Sequence, residues 1–231
     1  MKLIITRPRI DAAGLAEKLH AIGHSTIIAP LLDIVPRAAA IPDLPYQAIC
    51  TTSANGLRCL SASINLQIPV FAVGEQSAAV AHQKGFHCVE AGGGDVEGLV
   101  RHIEAKLKPK GGPLLYLSGA ETSGDLEGQL AKRGYHVSRV ITYDALKCKL
   151  DEYINAISSC EGVLLYSPRT AKLWIDEIQR LKLLHIINGL RHFCLSAQVA
   201  KVLPQNWHVF VAKMPTENSL LALLDLTREA E

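Results

Sequence analysis

Four blocks of this sequence recur in the same order further along the chain, most clearly where an apolar, β-forming run gives way to small hydroxyl, amide or glycine residues. Leu3-Ile4-Ile5-Thr6 answers to Leu114-Leu115-Tyr116-Leu117-Ser118, and Gly23-His24 to Gly134-Tyr135. Cys50-Thr51-Thr52-Ser53-Ala54-Asn55 resembles Leu165-Tyr166-Ser167-Pro168-Arg169-Thr170. Phe71-Ala72-Val73-Gly74-Glu75-Gln76 resembles Phe193-Cys194-Leu195-Ser196-Ala197-Gln198. Such a repeat predicts two related α/β units, each presenting a similar set of helix N-termini, and helix N-termini bind anions.

Between the blocks, short apolar runs alternate with amphipathic stretches of helical length, which is the pattern of parallel sheets covered on both faces. Strands are expected at residues 3–6, 24–29, 48–51, 70–73, 86–90, 114–117, 163–166, 192–195 and 209–212. Leu15, Leu19 and Ile22 mark one helical stripe that Gly23 should end, and Asp95 caps another whose Val96, Leu99, Val100, Ile103 and Leu107 share a face. A further helix is expected over 75–84, closed by Gly85. Two segments break the rhythm: 30–45, with Pro30, Pro36, Pro42 and Pro45, and 138–149, which reads as extended. Linkers have this character.

The expected fold is therefore two similar doubly wound parallel-sheet domains joined by a two-stranded linker. The first is discontinuous, residues 1–34 plus 149–231; the second spans 46–138; the linker strands are 35–45 and 139–148. The chain would cross between domains twice.

Composition narrows the function. The 231 residues are 48% hydrophobic and 20% charged with a net charge of +2, ordinary for a globular protein, and only 5% aromatic, too few for a base-stacking platform. The longest basic cluster is Lys106-Leu107-Lys108-Pro109-Lys110, so nucleic acid is not an expected partner. The apolar start, Leu3-Ile4-Ile5, is too short for a signal peptide or span, which predicts a cytoplasmic protein with no membrane partner. Six cysteines without a C-x-x-C pair and nine scattered histidines read as buried thiols and no metal site.

Chemistry concentrates at strand-to-helix turns, where unpaired backbone N–H groups accept carboxylates or phosphates. Six such turns stand out: Thr6-Arg7, Thr52-Ser53-Ala54-Asn55, Gly74-Glu75-Gln76-Ser77, Ser118-Gly119, Ser167-Pro168-Arg169 and Ser196-Ala197-Gln198. Thr216 marks another helix start. Each hydroxyl or amide serves equally as a simple helix cap, but six turns together suit a ligand with many negative groups. Arg7 and Arg169 follow strand ends and either bind carboxylates or form ion pairs. Gly119-Ala120-Glu121-Thr122-Ser123-Gly124 has P-loop glycine spacing but continues Asp125-Leu126, without the Lys and Ser/Thr that hold phosphate and magnesium. Tyr143, in Val140-Ile141-Thr142-Tyr143-Asp144, places a phenol in the linker segment, where it either donates a proton to a leaving oxygen or packs its ring on the linker. Tyr116 and Tyr166 read as core.

In this order the turns resemble those of the uroporphyrinogen-III synthase family over nearly the whole chain. The resemblance is carried by Thr6-Arg7-Pro8, Pro30-Leu31-Leu32, Thr51-Thr52-Ser53-Ala54-Asn55-Gly56, Ala72-Val73-Gly74-Glu75-Gln76-Ser77-Ala78, Ile141-Thr142-Tyr143, Tyr166-Ser167-Pro168-Arg169-Thr170-Ala171 and Pro215-Thr216-Glu217-Asn218-Ser219-Leu220. It implies a two-domain α/β enzyme with its active site in the cleft between the domains. The implied reaction cyclises hydroxymethylbilane, a linear tetrapyrrole rich in acetate and propionate, with inversion of ring D, releasing water. No cofactor is implied.

The resemblance carries the acid's role to Tyr143 and substrate contact to Thr6, Arg7, Thr52, Ser53, Asn55, Gly74, Gln76, Ser77, Ser118, Gly119, Ser167, Arg169, Ser196, Gln198 and Thr216. One departure is Val199, where members often have a hydroxyl, so that Ser196 or Gln198 would substitute. Expected partners are the bilane and, transiently, the upstream hydroxymethylbilane synthase, with the chain itself a monomer. The alternatives are a non-catalytic two-domain clamp for a polyanion, and a nucleotide-dependent transferase.

Overall fold

The computed structural model describes residues 1–226. It divides into two compact units: residues 1–33 together with those from Leu146 onward, and Ile34–Ala145. The chain opens in the first unit with β1 (Lys2–Ile5), α1 (Arg9–Ala21) and β2 (Ser25–Ile28), then leaves along β3 (Leu32–Pro36). The second unit follows as β4 (Ala48–Thr51), α2 (Ala54–Arg58), β5 (Val70–Ala72), α3 (Glu75–Gln83), β6 (Val89–Ala91), α4 (Val96–Lys106), β7 (Leu114–Gly119), α5 (Leu126–Ala131) and β8 (Val137–Lys147). The chain returns along β8. It completes the first unit with α6 (Ile154–Ile157), β9 (Gly162–Leu165), α7 (Pro168–Arg180), α8 (Leu184–Ile187), β10 (Arg191–Cys194), α9 (Ala197–Ala200), β11 (His208–Val211) and α10 (Glu217–Leu226).

The first sheet has the order β11-β10-β9-β1-β2, and its pairs are all parallel. The second has the order β3-β8-β7-β4-β5-β6, parallel from β8 to β6. Laid side by side, β11, β10, β9, β1 and β2 hold the same places as β6, β5, β4, β7 and β8. The sequence repeat is thus a structural repeat in permuted order: the edge pair β1 and β2 comes first in one unit, while its counterparts β7 and β8 come last in the other.

The repeat extends to backbone detail. At the end of α1, Gly23 (φ 83°) donates to His20 O and His24 to Leu19 O; after α5, Gly134 (φ 85°) donates to Ala131 O and Tyr135 to Leu130 O. The left-handed conformation requires glycine, and the next side chain, His24 or Tyr135, tucks inside at 2% or 5% exposure. Phe86 after Gly85 does the same, donating to Ala81 O, so the strand expected at 86–90 begins only at Val89. At one block the sequence match is offset by a residue: the caps that correspond are Ser53 and Ser167, not Thr52 and Ser167, because strand and cap geometry set the register.

The cores follow from alternation. In the second sheet Ile49, Leu115 and Leu117 face the cluster with Leu57, Val80 and Phe86, while Ala48, Cys50 and Tyr116 face Leu99, Ile103 and Leu130. In the first, Leu3, Ile5, Leu164 and Phe193 pack with Leu15 and Leu19 of α1 and Leu220 and Leu224 of α10. Each such Leu or Ile contributes about 1.5–3 kcal/mol by leaving water.

Two further expectations need correction. Strand character expected over 35–45 stops at Pro36, since Pro42 and Pro45 lack the N–H that a ladder needs. The cysteines are not uniformly buried: only Cys50 and Cys194 are, their thiols pushed up to about 12 by burial, while Cys88 is exposed beside the edge strand β6. Among the described residues no helix is long and apolar enough to cross a membrane.

Candidate active site

The predicted polar turns fall at the carboxyl ends of parallel strands in each unit, where ligands of α/β sheets bind. In the second unit they are the ends of β4, β5 and β7. The single Thr51 hydroxyl proton is shared between Ser53 O (2.8 Å) and Leu117 O (3.1 Å), fixing the turn after β4. Ser53 caps α2 by accepting from Asn55 N. Asn55 is 6% exposed, and its Oδ1 accepts from Arg58, so its amide braces the helix. Thr52 shares a hydrogen bond with Tyr116 Oη at 2.9 Å. Burial raises the Tyr116 phenol above its ordinary 10, and the Thr52 hydrogen bond and the Arg139 charge offset part of that.

A bulge shapes the end of β7. Leu117 pairs with Val140 and Ser118 with Ile141, but Gly119 pairs with Tyr143. The skipped residue, Thr142, is fully buried and donates to Gly56 O at 2.9 Å. Tyr143 therefore takes the place opposite Gly119 that a regular ladder would give Thr142, the re-aiming that bulges perform. Its ring lies so close that a Cβ on Gly119 would be 2.7 Å from its Cζ and 3.0 Å from its Oη. Ala120 N donates to Tyr143 O. Tyr143 is 8% exposed.

Arg139, which the sequence reading passed over, holds this turn. Its Nε donates to Ser118 Oγ (2.9 Å) and its Nη2 to Gly119 O (2.9 Å) and Ala120 O (3.0 Å), while the guanidinium lies 5.9 Å from the Tyr116 ring centroid. The available signal was an arginine within the β-forming run that contains Tyr143. Ser118, 1% exposed, also donates to Gly119 O.

Helix N-termini in this unit divide into two kinds. α4 and α5 carry the same motif, Gly-Asp-Val-Glu-Gly and Gly-Asp-Leu-Glu-Gly, in which Asp95 accepts from Gly98 N (2.7 Å) and Asp125 from Gly128 N (2.8 Å). Each is filled by its own carboxylate. The N-terminus of α3 has no side-chain cap; Gly74 occupies that position, its would-be Cβ facing open space, with Gln76 exposed and Ser77 buried.

In the first unit, Thr6 is fully buried and donates to Leu164 O at 2.7 Å, tying β1 to β9. Arg7 is an ion-pair residue. It reaches Glu217 Oε2 at 3.2 Å and Asp11 at 3.7 Å, with its guanidinium 4.5 Å over the Tyr166 ring. Burial is the main cause that raises the Tyr166 phenol, with the Arg7 charge opposing it. Ser167 and Thr170 form a capping box at α7, with Arg169 half-buried beside it. Ser196 caps α9 through Val199 N; Gln198 and Thr216 are exposed, and Thr216 accepts from Ser219 N. Each unit gathers its own set of turns. The side chains of Thr6, Asn55, Ser77 and Ser118 are buried, and the hydroxyls of Thr6 and Ser118 donate to backbone carbonyls of Leu164 and Gly119, as buried polar groups must find partners.

The fold and these turns define a class: a two-unit α/β protein, each unit with a mainly parallel sheet that presents helix starts at the carboxyl ends of its strands. The sequence profile of the family described as uroporphyrinogen-III synthase HemD matches residues 13–222, and the chain belongs to the uroporphyrinogen-III synthase family. Its activity is that of a cyclising lyase of tetrapyrrole biosynthesis, closing hydroxymethylbilane to uroporphyrinogen III with ring D inverted.

Solved structures agree on the fold. The Helicobacter pylori uroporphyrinogen-III synthetase is 18% identical, with 98% of this chain and 99% of that one covered and a TM-score of 0.68. A mutant Thermus thermophilus uroporphyrinogen III synthase is 15% identical over the whole of both chains, with a TM-score of 0.59. No curated protein sequence matches significantly.

Proposed function

We propose that Tyr143 is the acid of this cyclisation and that the carboxyl-edge turns hold the substrate's acetate and propionate groups. The reading is supported by one observation: the bulge sets Tyr143 opposite Gly119 at the end of β7, its ring against that glycine and beside the turn that Arg139 and Ser118 hold.

In this reading the Tyr143 proton goes to the ring A hydroxyl as its C–O bond breaks, and water departs. The resulting azafulvenium cation is attacked by the substituted carbon of ring D. A spiro intermediate then rearranges, and loss of a proton completes the macrocycle. The substrate supplies the reactive cation, so the protein's task is protonation and geometry.

The carboxylates are received at Thr52, Ser53, Gly74 and Gln76 in the second unit, and at Ser167, Arg169, Ser196, Gln198 and Thr216 in the first. Thr6, Asn55, Ser77, Ser118 and Gly119 shape the same turns, and Arg7, paired with Asp11 and Glu217, ties the turn after β1 to the start of α10. Because α4 and α5 are already filled by Asp95 and Asp125, a polyanion is steered to α2 and α3. The enzyme is further proposed to work in the cytoplasm as a monomer, receiving its labile substrate by transient contact with hydroxymethylbilane synthase.

The test is to supply fresh hydroxymethylbilane and identify the ring isomer. Tyr143→Phe is expected to lower turnover by roughly 10² to 10⁴ while product binding stays near native. A native rate in Tyr143→Phe removes the phenol from the mechanism.

A further inference from the structure

The proton-donor reading leaves open what holds the phenol against Gly119 at the end of β7, where the ladder becomes irregular. We propose that Arg139 is a positioning residue for Tyr143, an inference that rests on the Tyr143 reading. Three successive residues, Ser118, Gly119 and Ala120, give Arg139 one hydroxyl and two carbonyl oxygens, all at 2.9–3.0 Å. A planar guanidinium meets these three acceptors with donors already fixed in one fork, whereas a lysine ammonium has its three donors on a flexible stem with a different geometry.

The turn so held is the surface under the phenol. Gly119 is the contact for the Tyr143 ring, and Ala120 N donates to Tyr143 O, so both faces of the tyrosine's placement depend on residues that Arg139 ties down. Arg139 also links this turn to Thr52 through Tyr116, the ring beneath its guanidinium and the hydroxyl bonded to Thr52. Arg139 sits opposite Tyr116 in the β7–β8 register, two positions before the Ser118–Ile141 pair at which the bulge begins. It therefore acts from the last regular stretch of ladder on the first irregular one. Slackening the turn by an ångström would misalign the acid without removing it, and misplacement on that scale costs about 10²-fold.

The experiment compares native enzyme with Arg139→Met, Arg139→Lys, Tyr143→Phe and the Arg139→Met/Tyr143→Phe double variant, all given fresh hydroxymethylbilane, with thermal unfolding measured alongside. Arg139→Met and Arg139→Lys are each expected to lower kcat by about 10- to 100-fold, with KM changed by no more than about twofold. In the Tyr143→Phe background, Arg139→Met is expected to cost less than about threefold, because its effect passes through the missing phenol. Equal losses in both backgrounds, or a native kcat in Arg139→Met, overturn the inference. A native rate in Tyr143→Phe alone overturns the proton-donor reading instead, so the two failures are distinct. If Arg139→Met does not fold, Arg139→Lys, which keeps charge and stem, is combined with Tyr143→Phe for the same comparison.

Discussion

Tyr143 rests on Gly119 with no room for a methyl group between them: a Cβ at Gly119 would lie 2.7 Å from Cζ of the phenol. The contact exists because a bulge in the β7–β8 pairing brings Tyr143, not Thr142, opposite that glycine. Gly119→Ala is expected to push the ring off its seat, lowering kcat by about 10- to 100-fold. Overpacking of this kind costs about 1–3 kcal/mol of stability. Steady-state kinetics beside a thermal melt separate the two effects, and an unchanged kcat in a folded variant refutes the seating argument.

The open start of α3 makes a contrary prediction. Gly74 has an extended backbone that any residue adopts, and its would-be side chain meets nothing. Gly74→Asp supplies the missing cap as Asp95 and Asp125 do for α4 and α5, so stability should hold or rise by a few tenths of a kcal/mol. The same charge occupies the place proposed for a substrate carboxylate, and KM should rise by roughly five- to tenfold. A native KM argues that no carboxylate binds there.

Thr6 separates architecture from recognition. Its hydroxyl donates to Leu164 O inside the first sheet and is fully buried. Thr6→Val should cost about 1 kcal/mol in a urea titration, with kcat and KM unchanged. A large rise in KM without loss of stability shows instead that the hydroxyl meets substrate.

His192 sets an acid limit on the first unit. It is fully buried, stacked on Trp207 at 4.6 Å and edge-on to Trp174 at 6.4 Å, and burial lowers it from 6.5 to about 4, opposed in part by the nearby backbone of His208 and Leu190. The native state thus favours the neutral ring, and the unfolded chain takes up the proton first. Its stability contribution is complete above pH 6.5 and falls as pH drops toward 4, by up to about 1.4 kcal/mol per pH unit, on the order of 3 kcal/mol in all. Urea titrations at pH 7, 5.5 and 4.5 should show this slope in the native protein and a shallower one in His192→Phe. Equal slopes assign the acid sensitivity elsewhere.

The alternation of apolar runs with helical stripes, the glycines after α1 and α5 and the hydroxyls before α2 and α7 were legible in sequence because each depends on neighbours a few residues away. Hence the two α/β units, their parallel sheets and the family could be read before any coordinates. What lay beyond reach depends on partners brought together by strand order and register. Nothing near Thr6 reveals that Leu164 O will take its hydroxyl, and nothing near Arg139 reveals that its fork will close on Ser118, Gly119 and Ala120. The permuted order of the repeat, the bulge that trades Thr142 for Tyr143, and the burial of Thr6, Asn55, Ser77 and Ser118 were likewise decided by the tertiary structure. A side chain's local sequence fixes its chemistry and its element, but which donor or acceptor it meets is settled only when distant strands are laid side by side.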